Sequence, residues 1–143
     1  MTEETIQKAL EMIKRHEGFS DVVYLDTVGI PTVGWGHAFL NHEVEPGIQF
    51  TLEECEALLW DDFQSVLSDF DSLGLGYLSE NRQAVILDML FNLGLGRFMG
   101  FRKFLEALSI EDYKTAAEEM LNSKWAVQVG YRSQELSEIM LFG

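Results

Sequence analysis

Glu17-Gly18-Phe19, then Tyr24-Leu25-Asp26-Thr27, then Pro31-Thr32-Val33-Gly34-Trp35-Gly36-His37 decide how this chain reads. The first carboxylate stands where a helix stops. The second stands in a tight turn, with a threonine six positions further on. Acid-catalysed cleavage of a glycosidic bond needs one protonated carboxyl and one ionised partner with water between them, so two carboxylates in different environments suit it. Asp and Glu are abundant here, and spacing alone carries little. The residues around the pair give it meaning.

Upstream, Thr2 can cap a helix whose first turn holds Glu3 and Glu4, well placed against the positive end of the dipole. Ile6, Ala9, Leu10 and Ile13 share one face, and Gly18 is the natural stop. Glu17 then sits in the last turn and meets the negative end of the dipole, which disfavours ionisation. Downstream, Val22 to Leu25 favour extended backbone, Asp26-Thr27-Val28-Gly29 reads as a turn, and Ile30 to Trp35 can return as a second strand. A ribbon this small is unstable alone and must rest on helices.

Everything after Phe50 reads as helical. Thr51 with Glu54 forms a capping box, and Phe50 can staple against Cys55. Leu52, Cys55, Leu59, Phe63, Val66 and Phe70 make one apolar face over about five turns, closed by Leu73-Gly74-Leu75-Gly76. Another helix starts near Ser79 and is apolar from Ala84 to Phe91 except for Asp88, which suits the centre of a helical lobe. Gly94, Gly96 and Gly100 read as a turn, and Phe98, Phe101, Phe104, Leu105 and Leu108 continue the packing. Ser109 with Asp112 is expected to cap a helix carrying Tyr113, Ala116, Ala117, Met120 and Leu121. Trp125 and residues 131–141 close the lobe.

At 143 residues with 47% apolar side chains, the chain is long enough for one domain with a full core. Cys55 is the only thiol, which excludes an intrachain disulfide and a cysteine-rich zinc site. No run reaches the ~20 apolar residues of a membrane helix, and no signal peptide is expected from a start at Met1-Thr2-Glu3-Glu4. A soluble protein is expected. Net charge is −14, and residues 16–81 carry thirteen acids with no Lys or Arg. Phosphate backbones demand clustered Lys and Arg, so nucleic acid and anionic membrane are not expected partners. His16, His37 and His42 lack metal-ligand spacing, and neither metal nor cofactor is expected. His37 is expected to pair instead with Asp62, beside the apolar stripe of the long helix.

The helix-end Glu17, the run Tyr24-x-Asp26-Thr27-x-Gly29-x-x-Thr32-x-Gly34-x-Gly36-His37, and the later Phe91-Asn92-Leu93-Gly94 and Trp125-x-x-Gln128 resemble the phage-type lysozymes, the muramidases of bacteriophage endolysins. The resemblance covers nearly the whole chain. It implies an α+β, mostly helical, lysozyme-like fold, with one domain over 1–143. That domain would comprise a small α/β lobe at about 14–50 with its β-ribbon, a connecting helix at about 51–71, and a helical lobe at about 72–143 joined by the N-terminal helix. The cleft would lie between the lobes.

The same resemblance implies hydrolysis of the β-1,4 bond between N-acetylmuramic acid and N-acetylglucosamine in peptidoglycan. Glu17 would be the general acid, and Asp26 and Thr32 would hold the attacking water on the opposite face of the sugar, as inversion requires. Arg132 would pair with Glu17, and His37 would support the site. Phe39, Leu40, Phe91, Asn92 and Gln128 would line the cleft, with Trp35 and Trp125 in the core. The working form would be a monomer that reaches the wall after holin-type release. Two readings compete: a lytic transglycosylase, which uses one Glu and no water-positioning carboxylate, and an inactive wall-binding module. Asp26 together with Thr32 favours hydrolysis.

Overall fold

A computed structural model describes residues 1–143. Its elements run α1 (Glu3–Glu17), β1 (Ser20–Leu25), β2 (Pro31–Gly34), β3 (His37–Ala38), α2 (Leu52–Leu73), α3 (Glu80–Met99), α4 (Arg102–Ser109), α5 (Tyr113–Leu121), α6 (Lys124–Val129) and α7 (Tyr131–Phe142). The hydroxyl of Thr2 accepts the Thr5 N–H and starts α1. Gly18, at φ 71°, ends it, and its N–H closes on Lys14 O at 3.1 Å. That backbone region costs glycine nothing.

The sheet is antiparallel in the order β1-β2-β3. Tyr24 faces Thr32 and Leu25 faces Pro31 across the first pair. Thr32 faces Ala38 and Val33 faces His37 across the second. This third strand is absent from the sequence expectation, because two residues carry no periodicity. It exists because Gly34 and Gly36, at φ 67° and 78°, fold the chain back along β2. Gly34 also seats the sheet on α2, since a Cβ there would lie 3.2 Å from Cys55 Cβ.

Both bonds of the Thr51–Glu54 capping box are made, at 3.1 and 3.0 Å. Cys55, Leu59, Phe63, Val66 and Phe70 are buried along α2, while Leu52 is exposed. The expected break falls at Gly94, whose φ 76° and ψ 162° divide α3 into two helical stretches, and Gly100 follows its end, whereas Gly96 stays helical. One expectation is corrected in the helices that follow. Ser109 ends α4, donating to Glu106 O, and Asp112 alone caps α5 by accepting the Thr115 N–H at 3.1 Å. Ser109 still lies in the last turn of α4, three residues before the cap position, so its oxygen does not meet the first N–H groups of α5.

One core of 29 buried residues runs from Ala9 and Ile13 of α1, through Val23 and Val33 of the sheet, to Met140 of α7. Residues 83–90 of α3 are all buried, because α1, α2 and α7 pack around that segment. Burial on all sides explains why this stretch is apolar all round. Its single charge, Asp88, is fully buried with the rest.

Candidate active site

Glu17 is the last residue of α1, and its side chain is 21% exposed. Arg132, in the first turn of α7, donates from Nη1 to Glu17 Oε1 at 3.3 Å and from Nε to Asp88 Oδ1 at 2.9 Å. The second oxygen of Asp88 accepts from His16 Nδ1 at 2.8 Å. His16 Nε2 lies 3.2 Å from Glu135 Oε1, and Arg15 donates to both Glu135 oxygens at 2.6 and 2.7 Å. Burial pulls the Glu135 carboxyl upward, but the Arg15 hydrogen bonds and charge, with His16, outweigh it and hold the group below its ordinary range. Hydrogen bonds thus run from His16 through Asp88 and Arg132 to Glu17 across three helices, while His16 Nε2 is buried without a hydrogen bond to Glu135. Over the Glu17 carboxyl lies the turn between β2 and β3, where a Cβ on Gly36 would stand 3.6 Å from Oε2.

Asp26 closes the β1–β2 turn. Its Oδ1 accepts the N–H groups of Val28 and Ile30 at 2.9 and 2.8 Å, and its own N–H donates to Ile30 O at 2.9 Å. Side-chain closure of a turn in this way is characteristic of aspartate. Only one carboxylate oxygen is used, so Oδ2 is left without a partner from the protein. Thr32, 4% exposed, donates its hydroxyl proton to Ile30 O at 2.9 Å. Its lone pairs remain available to a water. Acid and turn thus differ chemically: one carboxyl faces a guanidinium, the other is fixed by amides with an oxygen to spare.

His37 Nδ1 and Asp62 Oδ2 are 2.9 Å apart, tying β3 to α2. The hydrogen bond to Asp62, against an opposing pull from burial, lifts His37 above its ordinary value. A raised value in the folded state means that the pair's stabilisation is complete below about pH 6.5 and is lost as pH rises through the folded-state value. For a half-exposed pair that stabilisation is on the order of 0.5–1 kcal/mol. Asp62→Asn is expected to bring the His37 titration, followed by NMR, down toward its ordinary value. An unchanged titration would refute Asp62 as the cause.

The residues expected to line a cleft separate. Phe39 is 7% exposed, edge-on to His37 at 5.0 Å and against Phe50 at 5.8 Å, within the hydrophobic core. Leu40 is exposed, Phe91 is half-buried, and Gln128 is exposed on α6. Asn92 Oδ1 accepts the indole N–H of buried Trp125 at 2.7 Å. Trp35 is 8% exposed, with Phe19 tilted against it and Lys14 Nζ 4.6 Å from its ring centroid. Trp125 and Gln128 also line an open cavity of about 710 Å³ with Arg97, Arg102, Lys103 and Lys124. None of those four cations has an ion-pair partner.

Asp88, His16 and Glu135 are absent from the sequence expectations for the site. Their one visible signal is the lone charge of Asp88 inside an apolar helix. No group of three or more His, Cys, Asp or Glu side chains is arranged to hold a metal ion. No single helix is long and apolar enough to cross a membrane.

Residues 14–138 match the family model described as phage lysozyme. The chain is 33% identical over 111 residues to the endolysin of Salmonella phage P22, covering 76% of this chain and 75% of that protein. It is 31% identical over 120 residues to the endolysin of Acyrthosiphon pisum secondary endosymbiont phage 1, covering 84% and 78%. It is also 29% identical over 104 residues to the SAR-endolysin of Enterobacteria phage P21, covering 73% and 61%.

Proposed function

Because the chain belongs to the phage lysozyme family and is a lysozyme-type peptidoglycan hydrolase, we propose that it is a muramidase, cleaving the β-1,4 bond between N-acetylmuramic acid and N-acetylglucosamine by single displacement. The observation that carries this is the asymmetry of the two carboxylates. Glu17 is part-buried against Arg132, and Asp26 is fixed by two amides with one oxygen spare, while Thr32 bonds the carbonyl of the same Ile30 whose N–H Asp26 holds.

Glu17, protonated, gives its proton to the departing glycosidic oxygen. Water held by Asp26 Oδ2 and Thr32 Oγ1 attacks the anomeric carbon from the opposite face, and its proton passes to Asp26. The new hydroxyl carries inverted configuration. The cycle leaves Glu17 ionised beside Arg132, and exchange with solvent resets both carboxyls.

In this reading α2 divides a small lobe holding Asp26 and Thr32 from a helical lobe, and the glycan lies between them. Leu40, Phe91, Asn92 and Gln128 contact sugar, and an anionic substituent on the strand finds counter-charge at Arg97, Arg102, Lys103 and Lys124. The protein works as a monomer on the wall after holin-type release from the producing cell. Mass spectrometry of digested peptidoglycan tests the chemistry. Reducing muramic ends are expected, and anhydro-muramic ends would instead identify a lytic transglycosylase.

A further inference from the structure

We infer that Asp88 and His16 are positioning residues that hold Arg132 against Glu17 and set how readily Glu17 keeps its proton; this rests on the reading of Glu17 as the acid. Asp88 is fully buried in a helical segment whose other buried residues are uncharged. Burying a carboxylate costs several kcal/mol unless it is paired and hydrogen-bonded, and helix packing alone is served as well by an apolar side chain. Both its oxygens are used, at 2.9 Å by Arg132 and at 2.8 Å by His16.

The guanidinium is held more closely by Asp88 than by Glu17, to which it makes one bond of 3.3 Å. This difference matters during turnover. A general acid must be protonated, and a neutral Glu17 has lost its ionic hold on Arg132. Asp88 keeps the guanidinium in place through that state, ready to pair with the carboxylate once the proton has left. One donor of Arg132, Nη2, is buried without a protein partner, so no other residue anchors it from that side.

The charges facing Glu17 come from three helices. From α1 come Arg15 and His16, from α3 Asp88, and from α7 Arg132 and Glu135, which is bound to Arg15. The sheet covers Glu17 with Gly36, which brings no charge, while Asp26 is bonded within its own turn and His37 to Asp62 of α2. Asp88 therefore offsets Arg132, and the His16 N–H offsets Asp88. Neutralising Asp88 exposes Glu17 to the full cation and favours its ionised form. Removing His16 strengthens the negative field and does the opposite.

The test is the pH dependence of peptidoglycan clearing for wild type, Asp88→Asn, His16→Leu and Glu17→Gln, with a thermal melt of each. Asp88→Asn is expected to move the alkaline limb about one pH unit lower, a loss of about tenfold on that limb, with the acid-side rate changed less than about threefold. His16→Leu is expected to move the limb the other way. Limbs that stay put while rates fall uniformly would reduce both residues to scaffolding and overturn the inference. If Asp88→Asn does not fold, the direction of the His16→Leu shift decides alone. An active Glu17→Gln is a separate outcome, since it removes the acid assignment itself.

Discussion

Glu17→Gln is expected to reduce clearing of bacterial walls about a thousandfold while the protein stays folded and still binds peptidoglycan. Glutamine matches the acid in shape and can accept the Arg132 Nη1 hydrogen bond now at 3.3 Å. What it cannot do is deliver a proton to a leaving oxygen. Part-exposure of the side chain, at 21%, also means that the change leaves no buried cavity or unpaired charge. A turbidity assay on wild type and variant in parallel, with a melt of each, separates loss of chemistry from loss of fold. Near-wild-type clearing would remove Glu17 from the mechanism. Retained wall binding with no activity in the wild type itself would favour a binding module.

The second large effect is on stability. Arg132→Leu is expected to cost about 3–5 kcal/mol, because it strands the fully buried Asp88 charge. For a domain of this size that is a fall in Tm of about 10–15 °C. Asp88 keeps only the His16 bond at 2.8 Å in that variant. Adding Asp88→Asn to Arg132→Leu removes the stranded charge and is expected to restore much of the melting temperature without restoring activity. That recovery distinguishes a buried-charge penalty from lost side-chain packing, which the second substitution would not mend. A single variant melting with the wild type would show that Asp88 finds another counter-charge or is neutral in the folded protein.

Much of the helical framework is legible without coordinates because its determinants are local. The stripe from Cys55 to Phe70 follows the helical period, and the caps at Thr2, Thr51 and Ser79 bind N–H groups three residues away. Competition between local signals explains the failures. Ser109 and Asp112 both look like caps, and only the observed bounds, α4 ending at Ser109 and α5 starting at Tyr113, give the role to Asp112. Gly94 and Gly96 look alike in sequence, yet only Gly94 leaves the helical region. Exposure is less legible still. Phe39 and Leu40 are neighbours, one in the core and the other 71% exposed, because the Phe39 N–H still bonds Pro31 O beyond the end of β3 while Leu40 enters the turn that follows.

The same division runs through the site. Sequence by itself determined that a carboxylate ends α1 at a glycine, that a second closes the turn between two short strands, and that a threonine follows on the returning strand. Neighbours within a few residues dictate such features. The family resemblance already implied Arg132 beside Glu17, and only the tertiary structure added Asp88, His16 and Glu135 around that pair. Arg132 is 115 residues away from Glu17, Asp88 is 72 from His16, and Glu135 is 120 from Arg15. Their pairing has no local pattern to betray it. It follows from the packing of α1, α3 and α7, which removes water from Asp88 and leaves Arg132 and His16 as the donors that satisfy its charge.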